Sequence, residues 1–246
     1  MPRRYTCRSA LVTGISIRRS SEGADSRHRE VCGSHLRSSC ILSFVNGILG
    51  GTFDPPHFGH LAIAHAAYEQ LGLDAVLLMV AGEPWQKTDD APTSAEHRFA
   101  MTSVAASESD HLVADDREIR RTGPTYTIDT VESMDGPCVL ILGADAAAGV
   151  PTWHRGSELL DMATFAVVPR PGIDVGAVED ALGDRFRWLD LPLIDLSSTA
   201  IRQHVAKGHS ARYLVPEGVS SYIEVNSLYR TSATSVAPVP IIADDE

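Results

Sequence analysis

A chain of 246 residues with 43% hydrophobic content can build one substantial core, and fits one α/β domain with a small appendage. Its net charge of −11 argues against an extended nucleic-acid surface, and no run approaches the roughly 18–20 apolar residues that cross a bilayer. Cys7, Cys32, Cys40 and Cys138 form no C-x-x-C pair, so no zinc knuckle or thioredoxin-type centre is expected and a reducing, cytoplasmic setting fits.

Residues 1–43 carry eight Arg against Glu22, Asp25 and Glu30, with no Lys and no helical or strand period. They read as a disordered extension or a spurious one translated from upstream of the true start. An organellar transit peptide is the weaker reading, because the amphipathic stripe is missing. From Asn46 an α/β rhythm sets in. Asn46–Leu49 reads as a strand, and Leu61, Ala64, Tyr68 and Leu71 recur at helical spacing before Gly72. Asp74–Val80 reads as a strand buried on both faces. A loop holds Pro84-Trp85-Gln86-Lys87. Thr93 and Glu96 predict a capping box for a helix to Ala106. Then follow a strand at His111–Ala114, a charged loop, a helix over Thr127–Met134 and a buried strand at Cys138–Leu142. Next come a helix at Ser157–Met162, a strand at Phe165–Val168, a helix at Val175–Leu182 and a strand at Arg187–Leu191. Helices at Ser198–Ala206 and Glu217–Val225 close the order. Residues 231–246 read as a disordered acidic tail. The predicted domain is therefore 44–230, a doubly wound, Rossmann-like parallel sheet of five to six strands with helices on both faces and a small C-terminal helical part. Ligands of such sheets bind off the carboxyl ends of the strands.

Three segments carry chemistry. Gly50-Gly51-Thr52-Phe53-Asp54-Pro55-Pro56-His57-Phe58-Gly59-His60 joins a strand to a helix. Its glycines let a ligand approach the backbone, and its helix start suits phosphate. His57 and His60, three apart, offer donors to a phosphate whose charge is changing. Leu196-Ser197-Ser198-Thr199-Ala200-Ile201-Arg202 opens another helix. An N-cap explains one hydroxyl; three hydroxyls with Arg202 make a phosphate cradle. Gly143-Ala144-Asp145 follows a strand, and Asp145 is either a ribose acceptor or a helix cap. Trp153, in a loop, is either a core residue or a flat face for a pyridine ring. Gly123-Pro124-Thr125-Tyr126-Thr127 opens a helix whose amides suit a carboxylate.

The joint pattern G-G-x-F-D-P-P-H-x-G-H with S-S-T-x-I-R resembles the nucleotidylyltransferase superfamily. Within it the chain is most similar to the bacterial nicotinate-nucleotide adenylyltransferases, over residues 46 to about 225. The resemblance implies transfer of the adenylyl group of ATP to nicotinate mononucleotide, giving deamido-NAD and pyrophosphate. It implies His57, His60 and Arg202 as catalytic. It implies Gly50, Gly51, Thr52, Phe53, Gly143, Asp145, Ser197, Ser198 and Thr199 around ATP, and Asp54, Lys87, Tyr126, Thr127 and Trp153 around the acceptor. Mg²⁺ would arrive on ATP, and no all-protein metal site is expected. His154 departs from the family pattern, where another aromatic is frequent. Arg98 and Arg170 match family positions without an assigned role. The expected partners are ATP and nicotinate mononucleotide, with no nucleic acid or membrane and a homo-oligomer allowed. The alternatives are an adenylyltransferase for nicotinamide mononucleotide or another phosphorylated small molecule, such as phosphopantetheine, and a non-catalytic nucleotide-binding module.

Overall fold

The computed structural model describes residues 44–82 and 92–230. The expectations for residues 1–43, for Lys87 and for the 231–246 tail lie outside them. Six strands run parallel: β1 (Asn46–Gly51), β2 (Ala75–Val80), β3 (Leu112–Asp115), β4 (Cys138–Gly143), β5 (Thr164–Val168) and β6 (Phe186–Trp188). Their order is β3-β2-β1-β4-β5-β6. The winding direction therefore reverses between β1 and β4, where side crevices of open α/β sheets lie.

The strands are apolar runs because both faces of the sheet are covered. Alternate residues enter different cores. Ile48, Met79, Leu140, Phe165 and Val167 pack on one side, and Leu49, Leu78, Val80, Ile141 and Ala166 on the other. Helix α1 (Phe58–Leu71) turns Ala64 and Ala67 inward at 0% exposure, which lets it lie close on the sheet. Gly72 ends it in the left-handed conformation, with Leu73 N–H reaching back to Tyr68 O at 3.2 Å.

Helix α2 (Ala95–Ala106) is capped by Ser94, whose side chain accepts from His97 N–H, and not by the expected Thr93. Thr93 is occupied elsewhere: its N–H bonds Asp54 and its carbonyl accepts from Arg98. Helix α3 (Thr127–Glu132) stops two residues before the expected Met134. There Ser133 Oγ turns back onto Thr130 O at 2.7 Å, a local bond that competes with further helix. Helix α4 (Ala144–Gly149), followed by a 3₁₀ turn at Val150–Thr152, enters the sequence reading only through Asp145 as a cap, because an alanine run carries no amphipathic period; its N-cap is Gly143, and Asp145 lies in its first turn. Helices α5 (Gly156–Met162) and α6 (Val175–Leu182) cover the β4–β6 side. Strand β6 is shorter than the expected Arg187–Leu191. Gln70 of α1 takes both backbone groups of Asp190, at 2.6 and 2.9 Å, and diverts the chain from the sheet edge. Helices α7 (Ser198–Ala206) and α8 (Glu217–Val225) pack with α2 around Met101, Ile201, Val205, Val219 and Ile223, forming the C-terminal helical part.

Candidate active site

Off the carboxyl end of β1 the chain turns sharply through Thr52 to His57. The left-handed residue in this turn is not a glycine but Phe53, at φ 50° and 1% exposure. Left-handed backbone at an L-residue costs about 1–2 kcal/mol. The buried ring offsets that cost, and its edge meets His60 at 4.9 Å between centroids. An added Cβ at Gly50 would meet only open space, so its approach side is clear.

His57 is the N-cap of α1 and His60 is in its first turn. The rings stack at 3.8 Å and 27°. His60 Nδ1 accepts the His57 backbone N–H at 3.2 Å, as a capping-box glutamate would. This bond fixes the neutral tautomer with its proton on Nε2, leaving an N–H donor. His57 Nδ1 is buried and has no hydrogen-bond partner among the described residues. Burial lowers the His57 pKa to about 4. Burial, and next the neighbouring His57, lower that of His60 to about 3. Both rings are therefore neutral near pH 7, and a phosphate beside them would draw protons in. Gly59 serves this pair directly. A Cβ there would stand 3.0 Å from His57 Cε1 and Nδ1.

The start of α7 closes on the same turn. Ser197 caps α7, accepting from Ala200 N–H at 3.2 Å. Ser198 Oγ donates to Pro55 O at 2.8 Å. Arg202 Nη1 donates to Asp54 O at 2.9 Å, and Nη2 reaches Thr199 Oγ1 at 3.4 Å. The two helix beginnings, 140 residues apart in sequence, thus share one loop. Asp54 itself is 3% exposed and faces inward. Its carboxylate accepts from Thr93 N–H at 3.1 Å and Tyr229 O–H at 2.6 Å. Behind it Arg98, 2% exposed, donates to the carbonyls of Thr52, Ala81, Gly82 and Thr93 at 2.7–3.0 Å. One guanidinium therefore fixes the ends of β1 and β2 together.

Off β4, Gly143 caps α4 and Asp145 lies exposed in its first turn, 3.7 Å from Arg170 Nη1. Trp153 is half-buried against the core. Its neighbour His154 stacks on Tyr126, the N-cap of α3, at 4.0 Å. Thr127 opens α3 beside it. Arg155 holds these pieces in register, bonding Glu132 of α3 and Glu158 of α5, each at 2.7 Å. Thr125 Oγ1 is buried without a partner among the described residues. A cavity of about 420 Å³ opens elsewhere, off edge strand β3, lined by Asp115, Arg117 and Arg120. These three are already engaged, Arg117 with Asp115 and Arg120 with Asp116.

Sequence reasoning misses Arg98 as an organiser, and misses Tyr229, Thr125 and the His154–Tyr126 stack. Only Arg98 leaves a signal, a charged residue on the same helical face as Met101, Thr102 and Ala105, all buried.

Residues 48–204 match the family model described as cytidylyltransferase-like. The chain is 39% identical over 192 residues to a probable nicotinate-nucleotide adenylyltransferase of Corynebacterium kroppenstedtii, covering 76% of this chain and 91% of the relative. It is 42% identical over 193 residues to one of Roseiflexus sp., covering 75% and 97%. A Plasmodium falciparum nicotinic acid mononucleotide adenylyltransferase, solved in complex with NaAD, has the same fold at a TM-score of 0.60 and 18% identity, covering 75% of this chain and 97% of that one.

Proposed function

The chain belongs to the cytidylyltransferase-like family, and from that membership we propose that it transfers the adenylyl group of ATP to nicotinate mononucleotide, releasing pyrophosphate and forming nicotinate adenine dinucleotide. The observation that carries this reading is the joining of the α1 and α7 beginnings at the Asp54–Pro55 carbonyls, at the sheet's reversal point. Two helix N-termini, two imidazoles and a guanidinium there suit a triphosphate.

The acceptor phosphate is already an anion at neutral pH and needs no strong base. Catalysis is then positioning and charge stabilisation at the α-phosphorus. His60, with its Nε2 proton, and His57 serve the phosphate oxygens. Arg202 serves the departing pyrophosphate, and the α1 and α7 amides cradle the chain of phosphates. Mg²⁺ entering with ATP would neutralise phosphate charge while keeping its waters and phosphate ligands. The carboxylates at hand fit that division of labour, since Asp54 is committed to Thr93 and Tyr229 and Asp145 faces Arg170. Asp54 thus shapes the turn rather than touching the acceptor. Trp153, the Tyr126–His154 stack and the start of α3 at Thr127 suit the pyridine end and its carboxylate. A cytoplasmic setting agrees with the free, buried Cys138, and among the described residues no helix is long and apolar enough to cross a membrane. The domain bounds of 44–230 remain part of this proposal.

The test is a coupled pyrophosphate assay of the purified chain with ATP and each mononucleotide. Faster release with the nicotinate form is expected. Equal or faster release with nicotinamide mononucleotide would reassign the acceptor, and no release with either would leave a binding module.

A further inference from the structure

The end of α8 leads back into the active-site loop. Ser227 N–H bonds Glu224 O at 3.1 Å and Leu228 N–H bonds Ile223 O at 3.0 Å, with Ser227 at φ 52°. This is a Schellman turn, here without glycine. Tyr229, two residues on, is left-handed as well, at φ 63°. Two L-residues held in that region mark a segment fixed by contacts elsewhere. For Tyr229 the contact is its hydroxyl on Asp54 Oδ1 at 2.6 Å. The same Asp54 receives Thr93 N–H on Oδ2 and Arg202 Nη1 on its backbone carbonyl. Burial, and then the Asp54 carboxylate, push the Tyr229 phenol well above its ordinary range, so it stays a donor. Tyr229 lies past residue 204, where the family match ends.

We propose that Tyr229 is a positioning residue for adenylyl transfer: through the Asp54 carboxylate it holds the Asp54–His57 turn in the shape that aims Arg202 and His57 at the phosphates of ATP. The proposal rests on the functional reading above. It differs from mere anchoring of the C-terminal segment. An anchor sets stability alone, whereas a positioning group also sets how the phosphates are held.

Tyr229→Phe removes the hydroxyl, with its bond to Asp54 and its 3.8 Å contact to Met101 Sδ, and keeps the ring against the C-terminal cluster. In the full chain it should weaken affinity for a non-hydrolysable ATP analogue by about tenfold and lower kcat similarly, with the mononucleotide KM within about twofold, as small displacements at a reacting centre do. In an Asp54→Ala background the same change should add nothing. Met101→Leu, which takes away the hydroxyl's sulfur contact and leaves its bond to Asp54, should lower stability and leave analogue affinity unchanged. All affinities are measured in the cold, below each variant's melting transition. Parental affinity and kcat in Tyr229→Phe, with only a lower melting temperature, would overturn the proposal. So would an undiminished effect in the Asp54→Ala background, or an equal loss of affinity in Met101→Leu. Should the parent bind the analogue yet form no dinucleotide, the acceptor assignment fails, while the affinity comparison still decides the role of Tyr229.

Discussion

His57 and His60 are asked to do opposite things at different moments. Burial keeps both rings neutral in the free protein, at pKa values of about 4 and about 3, yet the task proposed for them is to meet anionic oxygen. An unfolded chain would protonate both near their ordinary 6.5. Between that value and about 4 the unfolded state therefore holds more protons, and stability must fall as pH falls through this window. Above it the pair makes no pH-dependent contribution. Thermal melting followed against pH should show the decline, and a His57→Gln/His60→Gln double variant should show a shallower one. Matching slopes would mean the rings are not buried neutral. For catalysis, His60→Ala should reduce pyrophosphate release by about 100-fold or more, the scale of losing one transition-state donor. Near-parental turnover in that variant would remove the mechanism. These histidines are legible in sequence because a fixed spacing beside a glycine turn predicts one shared face. Asp54 is legible only as part of that pattern. Its inward orientation depends on Thr93 and Tyr229, partners 39 and 175 residues away, and no local signal announces them.

At the scale of elements, the turn after β1 is shaped from both sides. On one side Gly59 makes room for the His57 ring. Gly59→Ala would push the imidazole from its stack, and the expected result is a kcat loss of about tenfold with a smaller change in the urea midpoint. A midpoint shift without a kcat change would show that the ring can relax. On the other side Arg98 ties four carbonyls of the β1 and β2 ends. Arg98→Met would leave those carbonyls short of donors and Asp54 without a buried countercharge. Losing a charged donor costs about 1.5–3 kcal/mol per buried hydrogen bond, so a loss of about 3 kcal/mol or more is expected, which urea unfolding would read directly. A loss below about 1 kcal/mol, the range of an exposed ion pair, would contradict the burial argument. Helices α6, α7 and α8 have the bounds expected from their periodicity and caps. The misread elements share a cause. Ser94 replaces Thr93 as cap, β6 ends early at Gln70 and α3 ends at Ser133, each decided by hydrogen bonds that a local pattern does not contain.

For the whole molecule, alternating strands and helices imply a parallel sheet, but not which strands are neighbours. The order with β1 and β4 at the centre is a property of crossovers, and it is what gathers the segments near residues 54, 143 and 198 at one end. The C-terminal helical part is legible as helices, but not as a support for that end. Its attachment is close. A Cβ on Gly218 at the start of α8 would lie 2.5 Å from Val104 Cγ1 of α2, a β-branched side chain with little freedom to move aside. Gly218→Ala should therefore lift α8 from α2 at an overpacking cost of about 1–3 kcal/mol. Because α8 runs on to Tyr229 and α2 carries Arg98, the displacement should reach the Asp54 turn. The variant is expected to lose urea stability and kcat together, and circular dichroism and tryptophan fluorescence should still report one shared transition. If the C-terminal helices were an independent appendage, the two probes would separate and turnover would stay parental. That outcome would leave α1 and the sheet as the sole determinants of the site.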